Sequence, residues 1–246
     1  MTFTNQWRTI SWGRMHARVT AGAGGVPPIA LVHGLIVASR YMLPLAERLA
    51  PLRTVYAIDL PGYGLSEKPR ATLSIAELAG AIDEWMEREG LVKAHFVANS
   101  FGCQILAEFA ARYPRRVDRL VLQGPTVDPD ARTFLLQVWR IVRNSARERP
   151  GLGRIMMGDY ARAGPRRIIG TIRMALQDRI ENKLPYIEAP VLVVRGEHDP
   201  LSPQRWVERV CRLVPRGELA VIPGAHTLNY TSPDALLAVM KPFLNL

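Results

Sequence analysis

The chain has 246 residues, 48% of them hydrophobic and 22% charged, an ordinary composition for a globular protein with room for one large α/β domain carrying an insertion, or for two small domains. No apolar run approaches the roughly 20 residues that cross a bilayer, and the opening MTFTNQWRTISW lacks the basic-then-apolar order of a secretory signal. Cys103 and Cys211 are too few and too far apart for a disulfide framework or a metal site, so the expected compartment is a reducing cytoplasm.

The net charge of +10 is unevenly spread. Between Ala131 and Ile180 eleven arginines face only Glu148, Asp159 and Asp178, so that segment carries +8 and the rest of the chain is nearly neutral. Such a surface is either a solvated basic face or one that attracts an anionic substrate, carrier or lipid headgroup. Nucleic acid is not an expected partner, because no aromatic residues interleave the charges and no recognised module is present.

In chain order, Gln6 to Thr20 reads as a β-hairpin turning near Gly13, closed by a loop over residues 21–25. Pro28 to His33 is a continuous apolar strand of the buried, parallel kind. After His33-Gly34-Leu35-Ile36, Ser39 is expected to cap a helix running to about Ala50. Thr54 to Ile58 is a further buried strand, ending in the turn-rich DLPGYGLS at 59–66. Ser74 to Gly90 is a helix with a Ser74/Glu77 capping box and a closing glycine. Ala94 to Ala98 and Val117 to Leu122 are strands flanking a helix over Ile105 to Tyr113.

This alternation predicts an α/β fold with a doubly wound, mostly parallel sheet. The rhythm breaks from Pro129 to Pro185, where only helical patterning occurs. The expected organisation is therefore a core of residues 1–127 and 186–246 with a helical cap over 128–185. Strand returns at Pro190 to Arg195, a helix follows over Pro203 to Leu213, a strand over Glu218 to Ile222, and Asp234 to Phe243 is the closing helix.

The chemistry concentrates in Ala98-Asn99-Ser100-Phe101-Gly102. Strand and helix meet there with almost no residues between them, the geometry of a G-x-S-x-G nucleophile elbow with Ala98 for the first glycine. The competing reading is a helix start in which Ser100 merely caps orphan amides. Ligands of open α/β sheets bind beyond the carboxyl ends of the strands, and His33, Ser100, Asp199 and His226 all fall at or just past such ends. Ser100, Asp199 and His226 also follow the chain order of a serine triad on such a sheet.

Their expected roles follow from pKa matching. His226 takes the Ser100 proton, Asp199 fixes the imidazole tautomer, and the backbone N–H groups of Leu35 and Phe101 form the oxyanion hole. Asp128 is a rival acid. His33, Asp59, His95, His198 and Cys103 read as structural. Among the apolar residues of the insertion, Trp139, Met156 and Met157 are candidates for lining an acyl pocket.

Taken together, HG at 33–34, DLPGYGLS at 59–66, the elbow at 98–102, GEHDP at 196–200 and GAH at 224–226 resemble an α/β-hydrolase with a helical cap. The resemblance spans nearly the whole chain outside the insertion. It implies a serine hydrolase with Ser100, Asp199 and His226 as nucleophile, acid and base, a small-molecule substrate, and neither cofactor nor metal. Relatives that use an aspartate nucleophile, epoxide hydrolases and haloalkane dehalogenases, are disfavoured by Ser100.

The substrate stays open between three readings. One is a carboxylic ester or lactone with a small to medium acyl group. A second follows from Asn99: ANSFG resembles the elbow of hydrolases that cleave carbon–carbon bonds in vinylogous diketone acids, where the equivalent Asn helps hold an anionic substrate. The apolar loop after Gly34 and the absence of a Trp after His226 depart from that group. The third is a ligand-binding member of the fold without turnover.

Overall fold

In the computed structural model, which describes residues 2–20, 22 and 27–246, the strands are β1 (Thr4–Ile10), β2 (Gly13–Thr20), β3 (Ile29–Val32), β4 (Val55–Asp59), β5 (Ala94–Asn99), β6 (Val117–Gln123), β7 (Val191–Gly196) and β8 (Gly217–Ile222). They form one sheet in the order β1-β2-β4-β3-β5-β6-β7-β8. The β1–β2 and β2–β4 pairs are antiparallel and every later pair is parallel. The turn at Gly13 and the alternating core are as the sequence predicts. Of the loop expected at 21–25, residues 21 and 23–25 lie outside the described residues.

The central strands are apolar on both faces because helices cover both. Ala30, Val32, Phe96, Ala98, Leu120 and Leu122 pack on α2 (Ile75–Glu89), α3 (Phe101–Arg112) and α7 (Gln204–Leu213). Their neighbours Ile29, Leu31, Val97 and Val121 point the other way, onto α1 (Leu43–Leu49) and α9 (Pro233–Leu244). This period of two follows from the pleat.

Helix α2 starts with the predicted capping box and ends at Gly90 in the left-handed conformation, φ 70°. Ser39 does not cap α1. It opens a 3-10 turn over Ser39–Met42 that precedes the helix, its N–H donates to Asp59 Oδ1 at 2.6 Å, and its hydroxyl accepts from Arg18. A buried carboxylate outcompetes the local cap. A short helix, α8 (Leu228–Thr231), follows the last strand and has too few residues to show a period.

Between β6 and β7 the described residues form only helices and turns, chiefly α4 (Phe134–Ser145), α5 (Pro150–Ala163) and α6 (Pro165–Gln177). Among the described residues no helix is long and apolar enough to cross a membrane.

Candidate active site

Ser100 alone separates β5 from α3, with φ 58° and ψ −122°. Its N–H donates to Gln123 O at 3.0 Å and its carbonyl accepts from Cys103 N at 2.9 Å, but its side chain makes no capping hydrogen bond. The plain cap reading therefore fails. A residue held at positive φ without the hydrogen bond that would reward it is strained backbone. The close approach of helix to sheet explains the small neighbours. A Cβ on Gly102 would lie 2.6 Å from His33 O and 2.9 Å from Val32 O.

Neighbouring strands β7 and β8 bring Asp199 and His226 together. Asp199 is buried, its Oδ1 accepts from the N–H groups of Leu201 (2.8 Å) and Ser202 (3.1 Å), and its Oδ2 lies 2.8 Å from His226 Nδ1. A carboxylate only accepts, so Nδ1 carries the ring proton and Nε2 the lone pair. That Nε2 is buried and has no hydrogen-bond partner among the described residues.

Burial alone would pull the imidazole down, but the Asp199 charge, the Asp199 hydrogen bond and the Glu148 charge together lift its pKa above the ordinary value. Burial raises the Asp199 carboxyl, and His226 with the amides of Ser202 and Leu201 bring it below its usual range. Of the two links expected in a Ser–His–Asp line, the structure makes the His226–Asp199 one. Ser100 Oγ is not hydrogen-bonded to Nε2, though both residues line one cavity of about 290 Å³.

The loop carrying His226 is held by Asn99 and by three residues with no expected role at the site, Gln123, Asn144 and Glu148. Its carbonyl accepts from Asn99 Nδ2 (3.1 Å) and Gln123 Nε2 (2.6 Å), and its N–H donates to Asn144 Oδ1 (3.1 Å) on α4. Glu148 accepts from Asn144 Nδ2 (2.8 Å) and from Thr227 N (3.0 Å). Gly124, at φ 57°, leaves the space the pair occupies: a Cβ there would sit 2.9 Å from His226 Nδ1 and 3.1 Å from Asp199 Oδ2. A glycine directly after a buried strand was the one visible signal. The Asn144 and Glu148 contacts join distant segments and leave no local trace.

Leu35 lines the cavity and Phe101 follows Ser100; the N–H groups of both have no acceptors among the described residues. The Leu35 loop is fixed from below. Tyr41 Oη accepts from Gly34 N at 3.0 Å, while His33 Nε2 accepts from Leu60 N (3.1 Å) and its Nδ1–H donates to Gly34 O (2.9 Å). With both nitrogens engaged, His33 is a brace. Ile36 follows at φ 62°, an unusual conformation for a β-branched residue.

Two of the expected pocket residues, Trp139 and Met157, lie outside the cavity. Trp139 is 52% exposed and stacks under Arg143, outside the cavity lining. Met157 is 67% exposed and also outside it, whereas Met156 lines the cavity; one residue turns a helix by about 100°, so the pair cannot share a face. Asn99 reaches the cavity wall, but its Oδ1 accepts from Tyr41 Oη and its Nδ2 is spent on His226 O, so its amide is structural here.

The rival acid Asp128 is buried against Arg140 and Arg205, each at 2.9 Å, and does not approach His226. Cys103 is buried, which pushes its thiol pKa well up.

Comparison with known proteins agrees with this architecture. Residues 27–151 match the alpha/beta hydrolase fold family model. The protein abhd-5.2 of Caenorhabditis elegans is 34% identical over 102 residues, 40% of this chain and 23% of that one. The chain spans 23% to 34% of the length of the first curated relatives it matches. Carboxylesterase YbfK of Bacillus subtilis is 27% identical across 95% of this chain and 85% of its own. Its crystal structure superposes with a TM-score of 0.79 at 20% identity, covering 99% of this chain and 92% of that one. A membrane phospholipase A gives 0.84 at 23% identity, over 99% and 86%. The chain belongs to the α/β-hydrolase fold family.

Proposed function

We propose that the protein is a serine hydrolase that cleaves carboxylic esters or lactones of small to medium acyl groups. The observation that carries this reading is the buried, unpartnered His226 Nε2, a basic nitrogen whose tautomer is fixed by Asp199 and which shares a cavity with Ser100. A buried acceptor left without a donor costs about 1–3 kcal/mol. Such a cost is understandable where a proton must arrive during a reaction.

In this reading the Ser100 hydroxyl turns onto His226 Nε2 to complete the hydrogen-bonded line, as catalytic contacts in empty sites commonly tighten only with substrate. Ser100 Oγ attacks the ester carbonyl carbon and gives its proton to Nε2. The tetrahedral oxyanion is met by the N–H groups of Leu35 and Phe101. Collapse breaks the bond to the alkoxy oxygen, which leaves with the proton from His226. A water then repeats the sequence on the acyl-enzyme, and Ser100 recovers its proton. Asp199 stays ionised and balances the imidazolium.

The lining supports an uncharged acyl group. Leu35, Val37, Ile141, Leu152, Met156 and Leu201 supply apolar wall, and about 290 Å³ sits at the small end of the range for ligand pockets. The likeness to a carboxylesterase over most of both chains points the same way. The carbon–carbon alternative needs a polar grip for an anion. Here the Asn99 amide is occupied, and the cavity lining carries Glu148 as well as Arg149, so its charge does not select for an anion.

The test is turnover of chromogenic short-chain esters by the wild type and by Ser100→Ala. The expected loss is about 10⁴–10⁶ in kcat, with fluorophosphonate labelling mapped to Ser100. Full turnover in Ser100→Ala, or labelling elsewhere, removes the proposal.

A further inference from the structure

Helix α4 is amphipathic the wrong way round. A surface helix normally buries its apolar stripe. Here the buried side chains of α4 are Arg140 and Asn144, while Leu135 (79% exposed), Val138, Trp139 (52%) and Val142 (64%) recur at i, i+3, i+4 and i+7 on the outside. The polar face is fully used. Arg140 donates to Asp128 Oδ2 (2.9 Å) and to Leu201 O (3.3 Å), and Asn144 holds His226 N and Glu148. The helix is thus anchored with its oily side outward, and a contiguous apolar patch kept exposed marks a surface that meets something.

The exposed charge of this part of the chain says what. Among residues 131–180 the exposed charged side chains are all arginines, namely 143, 147, 149, 154, 162, 166, 173 and 179, whereas Glu148, Asp159 and Asp178 are buried or half-buried. Arg143 lies on α4 itself, its guanidinium 4.6 Å from the centre of the Trp139 ring, and Arg147 follows within a turn. A second copy seated on this face by two-fold symmetry would set arginines against arginines. An anionic lipid surface offers both complements at once, phosphates for Arg143 and Arg147 and acyl chains for the stripe.

We propose that α4 is a peripheral membrane-docking surface for bilayers containing anionic lipid. Its relation to the cavity gives this a consequence. Ile141, 38% exposed and one turn beyond Val138, is both the edge of the apolar stripe and part of the cavity wall, and Ser145 continues that wall. A docked α4 therefore brings the cavity mouth to the lipid interface. Apolar substrates dissolved there enter without crossing bulk water.

The test is co-sedimentation of the full chain with vesicles of phosphatidylcholine alone or mixed with phosphatidylglycerol. It reads no turnover, so it stands or falls apart from the hydrolytic proposal. Binding is expected to the mixed vesicles only, weakening as salt is added. Arg143→Gln with Arg147→Gln should reduce partition by more than tenfold, at about fivefold per arginine. Leu135→Ser with Trp139→Ser should reduce it by at least as much. All four residues are exposed and outside the cavity lining, so melting temperatures should not move.

Trp139→Phe should still bind but lose the fluorescence quenching that brominated lipid causes in the wild type. The proposal is overturned if mixed vesicles are not bound, if the variants bind like the wild type, or if quenching survives in Trp139→Phe. A stable dimer in analytical ultracentrifugation that dissociates on Leu135→Ser/Trp139→Ser also overturns it, and gives the face to a second copy.

Discussion

Two buried aspartate–histidine pairs occupy the same sheet with the same contact. His16 Nδ1 lies 2.8 Å from Asp59 Oδ2, and His226 Nδ1 lies 2.8 Å from Asp199 Oδ2. What separates them is the far nitrogen. His16 Nε2 meets Asn5 Oδ1 at 2.9 Å and the ring packs on Trp7, so the side chain is a closed strut between β1, β2 and β4. His226 Nε2 has no partner among the described residues, and His226 borders a cavity. The carboxylate contact by itself says nothing about catalysis; an unspent lone pair beside open space does.

The widest separation between the pairs should come from removing each carboxylate. Asp199→Asn leaves a similar shape but no longer enforces the tautomer, and ester turnover should fall by about 10⁴ in kcat. Asp59→Asn should leave kcat per folded molecule nearly unchanged. It should instead cost about 3–5 kcal/mol of stability in urea titration, the usual effect of removing one partner of a buried pair. Comparable kcat losses in both variants would erase the distinction.

The same contrast has a pH signature. Burial would raise the Asp59 carboxyl, but the His16 hydrogen bond and the amides of Leu65 and Ser39 hold it down at about 2. A depressed carboxyl pKa stabilises the fold above the unfolded value of 3.8. That contribution, about 2 kcal/mol, drains away as pH falls from 3.8 through 2. Urea titrations across that window should show the loss in the wild type and a flatter profile in Asp59→Asn.

A smaller effect is expected from packing against the second pair alone. Gly124→Ala places a methyl 2.9 Å from the His226 ring and demands φ 57° of a residue with a side chain. The ring must shift, and misplacement by a fraction of an ångström to an ångström should cost about tenfold to a hundredfold in kcat. Gly90→Ala, also at positive φ but with nothing within 4 Å, is the control: it should lower stability slightly and leave kcat intact.

How far the sequence revealed this arrangement depends on how local each signal was. The strands, the α2 capping box and the Ser100 turn are written in contiguous residues, and their periods and caps are visible before folding. That Asp199 and His226 share an edge followed from a single strand–helix–strand unit. The His16–Asp59 strut was invisible, because β2 reaches β4 only through a register that pairs His16 with Asp59 across 43 residues. Trp139 and Met157 escape the sequence for two other reasons. An apolar residue on an amphipathic helix is expected inward, and α4 inverts that rule at Trp139 by burying Arg140 against Asp128, whereas Met157 on α5 is turned out by the roughly 100° step from Met156.

The finest distinction lies in what tunes His226. Its pKa is raised, so the neutral base is lost on acidification earlier than for a free imidazole, and the acid limb of kcat/KM should have its midpoint above about 6.5. Glu148, from the helical segment between β6 and β7, contributes to that rise through its charge. Glu148→Gln keeps a hydrogen-bonding group in place and removes only the charge. The acid limb should therefore move to lower pH while its plateau falls little. An unmoved limb would mean that the segment between β6 and β7 shapes the cavity without reaching the electrostatics of the base. A limb that moves upward would contradict the sign of the Glu148 contribution.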